Sequence, residues 1–287
     1  MENLVEKVTV QIVLYEENFE TINKCLEQIK EFKVIIIDNA NDQILKDKII
    51  KKFKIYKYFL NKKNIGFSKA ANQGVRECDT EYLLVLGADC IIKYQDIEQL
   101  IFTREKYKDC FITAPTFFDT NNNYSYNGGP LYERGNKNEI IENFGDICVD
   151  TVLTSAVLFK IKDLKQIGLF DEEFFLYFLD DDLCRRIKKI NKSVVQVYNS
   201  KAIHIHGQLK VKNKFKKIFY RNYYFDYEEL YYLYKENLHH KKYRNLKKKV
   251  PKFVFKLIFN LLIFRFDKFT YYLSKTLAFL KFRKFIS

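Results

Sequence analysis

Three short, predominantly apolar runs constrain this chain more than any other feature. They are Val8 to Leu14 (VTVQIVL), Val34 to Ile37 (VIII) and Tyr82 to Leu86 (YLLVL). Each is rich in β-branched and aliphatic residues, with only Thr9 and Gln11 as polar interruptions, the pattern of a strand buried on both faces. Helical spacing fills the gaps. Phe19, Ile22, Leu26 and Ile29 share one face of a helix predicted from Asn18 to Lys30. Ile44 to Phe53 and Ser68 to Arg76 read as further helices, and Ile55 to Leu60 as another strand. Buried strands spaced by helices imply parallel pairing through crossovers, hence an α/β sheet. Ligands of such sheets gather at the carboxyl ends of the strands, where Asp38, Asn39 and Asp89 stand.

The next hundred residues change character. Pro115 to Gly145 is polar, with Asn121-Asn-Asn and Asn127-Gly-Gly-Pro, and reads as a long loop or irregular hairpin of the functional kind. Val152 to Phe159 reads as a strand. Asp180 to Lys189 reads as a helix with acids in its first turn, as the helix dipole favours. Val194 to Val197 and Ala202 to Ile205 read as two short strands.

Charge divides the chain in two. From Gln208 onward there are 21 Lys or Arg against five Asp or Glu, a net of +16, while the whole chain carries +14. The first 207 residues are therefore close to neutral. The same tail holds 22 of the 48 Phe and Tyr residues. We expect a domain over 1–207 and a helical, basic, aromatic region over 208–287, with Pro251 separating two helical segments. The longest uncharged apolar run in the tail, Leu257 to Phe264, is too short to span a bilayer. The six cysteines form no CxxC pair, and the charged start Met1 to Lys7 lacks an apolar core for a signal peptide. Free thiols in a reducing cytoplasm are the expectation.

Individual residues support two readings each. Asp89 after a buried strand suits a Mg²⁺ or Mn²⁺ ligand, or an ordinary turn aspartate. The run Asp171-Glu-Glu-Phe-Phe-Leu-Tyr-Phe-Leu-Asp180-Asp181-Asp182 offers a general base beside an aromatic wall, or acidic capping of a helix start. His204 and His206 alternate onto one strand face, as metal ligands or as satisfied polar residues.

Their order along the chain is more specific than any one of them. A strand ending in Asp-Asn, the segment NIGFSKAANQGV, an apolar strand closing on an aspartate, FDEEFFLYFLDDDLCRR, and a histidine two dozen residues later follow in series. The series resembles the family 2 glycosyltransferases of the GT-A fold, in particular the rhamnosyltransferase-like branch of bacterial surface-polysaccharide synthesis, over roughly Val8 to Gly207. The resemblance implies a Rossmann-like, mainly parallel central sheet flanked by helices. It implies that Asp38 contacts the nucleotide base with Asn39 beside it. It implies that Asn64, Gly66 and Phe67 line the nucleotide pocket, with Lys63 and Lys69 in reach of phosphates. Asp89 and His204 would hold Mn²⁺ or Mg²⁺ on the donor pyrophosphate. Asp180 would be the general base of an inverting transfer, with Asp182 supporting the acceptor or the helix start.

Departures from the family pattern are Gly87 in place of the first acid of a DxD motif, Leu179 where Glu is common, Asp181 in a usually small or apolar position, and Ser155 where glycine is frequent. The expected donor is a nucleotide-diphosphate sugar, dTDP-rhamnose or a UDP-sugar favoured, and the acceptor a glycan or lipid-linked glycan. The alternative is a non-catalytic, nucleotide-sugar-binding scaffold in a polysaccharide assembly complex. Lys252 to Ser287 would lie on the inner face of the cytoplasmic membrane, or else pack on the body or form a homodimer. Nucleic acid is not an expected partner, because the motifs are those of an enzyme.

Overall fold

The computed structural model describes residues 4–132, 142–205 and 213–287. The chain divides into two compact units, Met1–Glu172 with Leu179–Leu209, and Glu173–Phe178 with Lys210–Ser287. The expected boundary at 207/208 and His206 lie outside the described residues, as does 133–141 of the polar loop. One short segment of the acidic motif, Glu173–Phe178, belongs to the second unit.

The first unit opens with α1 (Leu4–Lys7), β1 (Val8–Leu14), α2 (Phe19–Ile29), β2 (Lys33–Asp38), α3 (Gln43–Lys52), β3 (Lys57–Leu60), α4 (Phe67–Glu77) and β4 (Tyr82–Leu86). It continues with β5 (Cys90–Ile92), α5 (Tyr94–Lys106), β6 (Cys110–Phe118), β7 (Gly128–Gly129), β8 (Ile147–Val149), β9 (Thr151–Val152), β10 (Ala156–Lys160), α6 (Ile161–Gln166), α7 (Leu179–Lys189) and β11 (Ser193–His204). The main sheet runs β3-β2-β1-β4-β10-β6-β11-β5, with β8 also on β11. Its first four strands are parallel, as the alternation predicts. Beyond β4 the sheet is mixed: β10 is antiparallel to β4 and β6, β6 and β11 are parallel, and β5 and β8 are antiparallel to β11.

Period-two alternation assigns the two faces of the parallel half. Val10, Ile12, Leu14, Val34 and Ile36 face one core with Ile22, Leu26 and Ile29 of α2 and Leu45 and Ile49 of α3. Ile35 and Ile37 face the other side and meet Ala70 of α4. Two caps start helices where the sequence places them. Asn18 accepts the Thr21 N–H at 2.8 Å, and Asp42 accepts that of Leu45 at 2.9 Å.

Several local expectations are corrected. Val152 to Phe159 is two strands, because Leu153 to Ser155 leave the ladder between β9 and β10. The two short strands after residue 193 are one, β11, with an irregularity between Val197 and Lys201 that the sequence shows only as a polar interruption. The polar loop begins at Asp119, not Pro115, since Pro115 lies inside β6.

The second unit comprises α8 (Lys214–Lys235), α9 (His240–Leu262) and α10 (Phe266–Ile286) with segment 173–178. Tyr227 and Leu230 of α8 bury against Ala278, Phe279 and Phe282 of α10. Pro251 lies inside α9 and does not end it. The carbonyl of Lys247, four residues earlier, loses its partner on a turn where Lys247 to Lys249 are exposed and water can replace it. Helix breaks fall instead at 236–239 and 263–265, where Asn237 and Phe264 take positive φ. Because α10 buries Ser274, Ala278, Phe279 and Phe282, Lys252 to Ser287 is not a freely amphipathic stretch.

Buried Glu228 of α8 anchors segment 173–178. Its carboxylate accepts the backbone N–H groups of Phe175, Leu176 and Tyr177 at 2.9, 3.0 and 2.6 Å. Burial pushes this carboxyl up to about 8, against the three N–H groups that pull it down.

Candidate active site

The end of β2 builds the first wall. Asp38 is fully buried. Its Oδ1 accepts the Ala40 N–H at 2.7 Å, and its Oδ2 accepts the Asp42 N–H at 3.2 Å and the Tyr58 hydroxyl at 3.3 Å. Burial pushes the carboxyl above its ordinary value despite these donors. Its side chain holds the β2–α3 turn and does not lie open. Asn39 beside it donates to the Gly66 carbonyl at 3.2 Å and accepts from Asn61 at 2.9 Å. Asn64 Oδ1 accepts the Gly66 N–H at 2.9 Å. Gly66 has φ +86°, a conformation that side chains rarely adopt, and it is the N-cap of α4. Phe67 starts that helix edge-on to Phe170, and Lys69 lies exposed in its first turn. Thus Asp38, Asn39, Asn64 and Gly66 are joined by one hydrogen-bonded network, with Phe67 next in the chain, at the N-terminus of a helix suited to phosphate.

A second cluster forms where β4 turns into β5. Asp89 and His204 approach with Oδ2 and Nε2 3.5 Å apart. The ladder is the cause, since His204 pairs with Cys90 across β11 and β5, and the Ile205 N–H reaches the Asp89 carbonyl at 2.9 Å. Ligand atoms of Asp89, Cys90 and His204 lie within 4.8 Å of one another. Burial pushes the Cys90 thiol well above its usual value, so it stays protonated and is a poor ligand for a hard cation. A carboxylate oxygen and an imidazole nitrogen remain, a donor pair that fits Mn²⁺ with further oxygens from a ligand.

Sequence reasoning missed Glu17. It follows β1 at the same carboxyl edge as Asp38 and Asp89, and that topological position is the signal that would have found it. Burial, and secondly the Asp89 charge, push its carboxyl up to about 7. Its buried Oε2 has no hydrogen-bond partner among the described residues.

The acidic run separates into three environments. Asp180 is half-buried, and its Oδ1 accepts the Thr154 N–H at 2.8 Å. Asp181 is fully buried, with Oδ1 on the Tyr132 N–H at 3.1 Å. Asp182 is also fully buried and pairs with Arg186 one turn on, at 2.8 Å. Only Asp180 of the three reaches solvent. Next to Thr154, the Ser155 carbonyl accepts the Gly87 N–H at 2.7 Å, two residues before Asp89. Backbone contacts therefore link Asp180 to the Asp89–His204 pair along one sheet edge. Gly87 has little room for a side chain: a Cβ there would lie 3.0 Å from Asp89 Oδ1 and 3.4 Å from Cys90 Sγ and the Ser155 carbonyl.

A parallel half-sheet continued by antiparallel strands, with these residues at its carboxyl edge, defines a GT-A-like mixed α/β fold with a helical C-terminal region. The chain belongs to glycosyl transferase family 2, whose sequence profile matches residues 9–162. It is 26% identical over 212 residues to the dTDP-rhamnosyl transferase RfbF of Shigella flexneri, covering 70% of each chain. With the rhamnosyltransferase WbbL of Escherichia coli K12 it shares 27% identity over 220 residues, 68% of this chain and 83% of that one. The structure of GalNAc-T7 with UDP, GalNAc and Mn²⁺ superposes with a TM-score of 0.59 at 14% identity. That match covers 79% of this chain but only 51% of the other, and it is a likeness of fold.

Proposed function

We propose that this glycosyltransferase moves a sugar from a nucleotide-diphosphate donor to a hydroxyl of a glycan or lipid-linked glycan, with inversion. The favoured donors are dTDP-rhamnose, in keeping with the name of one relative, the dTDP-rhamnosyl transferase RfbF, and a UDP-sugar. One observation carries the reading: a solvent-reaching carboxylate, Asp180, is tied through Thr154, Ser155 and Gly87 to the Asp89–His204 pair. The acceptor is a surface glycan, and the second unit places the enzyme at the inner face of the cytoplasmic membrane.

Asp38, Asn39, Asn64, Gly66 and Phe67 shape the donor pocket, and Lys69 at the start of α4 faces phosphate charge. Asp89 and His204 would hold Mn²⁺ or Mg²⁺, which supplies positive charge against the departing diphosphate. Asp180 takes the proton of the acceptor hydroxyl as its oxygen attacks the anomeric carbon from the face opposite the diphosphate. The bond to the diphosphate oxygen breaks with its electron pair leaving on that oxygen. Asp182, enclosed with Arg186, positions α7 and does not touch substrate.

The test is a thermal-shift panel of UDP, dTDP, GDP and CDP with and without Mn²⁺ or Mg²⁺, followed by turnover of Asp180→Asn. A nucleotide at a hundredfold excess over Kd stabilises the fold by about 2.7 kcal/mol. We expect one nucleotide to do so, more strongly with metal. Asp180→Asn should keep that stabilisation and lose about 10²–10⁴-fold in rate, the usual contribution of a general base. Unchanged turnover overturns the base assignment. Nucleotide binding without turnover of any donor favours the scaffold alternative.

A further inference from the structure

The turn between α9 and α10 exposes a concentration of large apolar side chains in the second unit. Leu262 is 71% exposed, Phe264 78% and Phe255 69%, and Phe259, Ile263 and Phe266 are also exposed. Phe255, Phe259 and Leu262 follow helical spacing on one face of α9, with Ile258 beside them, and the apolar surface continues past the helix end to Phe266. Together these residues cover the last turns of α9, the connection, in which Phe264 takes positive φ, and the start of α10. Charge around the tip is predominantly positive: residues 241–287 hold 14 Lys or Arg and one acid, Asp267.

Beside the tip, the first turn of α10 and the start of α8 border an open cavity of about 390 Å³. Lys217, Arg221 and Lys268 line it, with Asp267 as its single carboxylate. A net-positive hollow next to an exposed apolar wedge combines the two chemistries of a bilayer surface, acyl chains and phosphate headgroups.

We propose that the α9–α10 turn is the membrane-inserting element of this enzyme, and that the Lys217–Arg221–Lys268 cavity takes the phosphate of an anionic phospholipid. This deepens the membrane placement proposed above by naming the residues that make it, and it does not depend on the donor chemistry. It also replaces the flat-lying segment Lys252 to Ser287 with a tip, since α10 is committed to packing on α8. A second copy of the chain is a poor occupant, because a symmetric contact through this face brings two strongly cationic surfaces together. An anionic bilayer removes that repulsion.

The experiment is co-flotation of the full chain with phosphatidylglycerol-containing and pure phosphatidylcholine vesicles. The wild type should float with the anionic vesicles. Leu262→Asp/Phe264→Asp should abolish binding. Arg221→Ala and Lys268→Ala should each weaken anionic binding about fivefold, the effect of one basic residue near such a surface. Inorganic phosphate at matched ionic strength should compete no better than chloride; selective displacement would make the cavity a soluble-phosphate site and overturn the lipid assignment. Should the tip variant misfold, Phe264→Trp provides a separate reading, because the chain has no other Trp. Its emission should shift to the blue on adding anionic vesicles. An unshifted emission, a wild type that does not float, or a wild-type dimer that Leu262→Asp/Phe264→Asp makes monomeric overturns the proposal. Equal nucleotide stabilisation of wild type and tip variant keeps this outcome separate from the transferase reading.

Discussion

Gly74→Ala sets two physical effects of opposite sign against each other. Gly74 lies inside α4, and helix propensity alone predicts a gain of about 1 kcal/mol. The tertiary structure predicts a loss. A Cβ at Gly74 would lie 2.4 Å from Gln11 Cδ and 2.5 Å from Gln11 Oε1. Gln11 is fully buried in β1, and its Nε2 donates to the Ala71 carbonyl at 3.0 Å. The amide cannot yield without breaking that bond or moving α4. Overpacking costs about 1–3 kcal/mol, and a displaced buried amide about 1–3 kcal/mol more. Net of propensity, we expect a loss near 3 kcal/mol, which lowers Tm by about 6–12 °C. Differential scanning calorimetry of Gly74→Ala, Gln11→Ala and the double variant measures it. Removing the glutamine makes room for the methyl, so the double variant should be more stable than additivity predicts by about 1–2 kcal/mol. Because α4 starts with Phe67 and carries Lys69, Gly74→Ala should also weaken nucleotide stabilisation. A raised Tm, or strict additivity, would show that the close approach of α4 to β1 does not govern this position.

Asp89→Ala and His204→Ala should each remove the metal-dependent part of nucleotide stabilisation while leaving the metal-free part; an unchanged metal response in titration calorimetry would dismiss the pair as ligands. Gly87→Asp should lower activity rather than restore a fuller motif, because its Cβ crowds Asp89 Oδ1, and steady-state kinetics reads this directly. Arg186→Met should cost about 3–5 kcal/mol by removing the ion pair that Arg186 makes with the fully buried Asp182 carboxylate, with Asp182→Leu/Arg186→Met recovering much of it in a denaturant titration. Glu228 sets a pH dependence: its folded value near 8 exceeds the ordinary 4.5, so the folded state binds the extra proton between them. Stability is then full below about 4.5 and lost as pH rises toward 8, by up to about 1.4 kcal/mol per unit. Glu228→Gln should flatten this slope in melts from pH 5 to 8, and an unchanged slope would mean that Glu228 is not its source.

The parallel half of the fold is legible in the sequence because a strand buried on both faces must be largely apolar. VTVQIVL, VIII and YLLVL carry that requirement locally, as Asn18 and Asp42 carry the helix starts. The acidic, amide and glycine positions at the strand ends are legible for a related reason: a ligand edge lies where strands end. The antiparallel half was not, since which strand inserts between β4 and β6 depends on pairing over 70 residues of separation, which no local pattern encodes. Nor could sequence separate Asp180, Asp181 and Asp182. Adjacent identical side chains differ only in what surrounds them, and Thr154, Tyr132 and Arg186 reach them from distant or later segments. Glu17 passed unnoticed for the same reason, its character coming from burial beside Asp89 and not from its neighbours in the chain. In the C-terminal region, composition determined a helical, cationic and aromatic character, while only packing decided which aromatics are spent inside the helices and which remain at the α9–α10 turn. Local pattern determines what each segment can become; long-range burial decides which of its side chains are left to act.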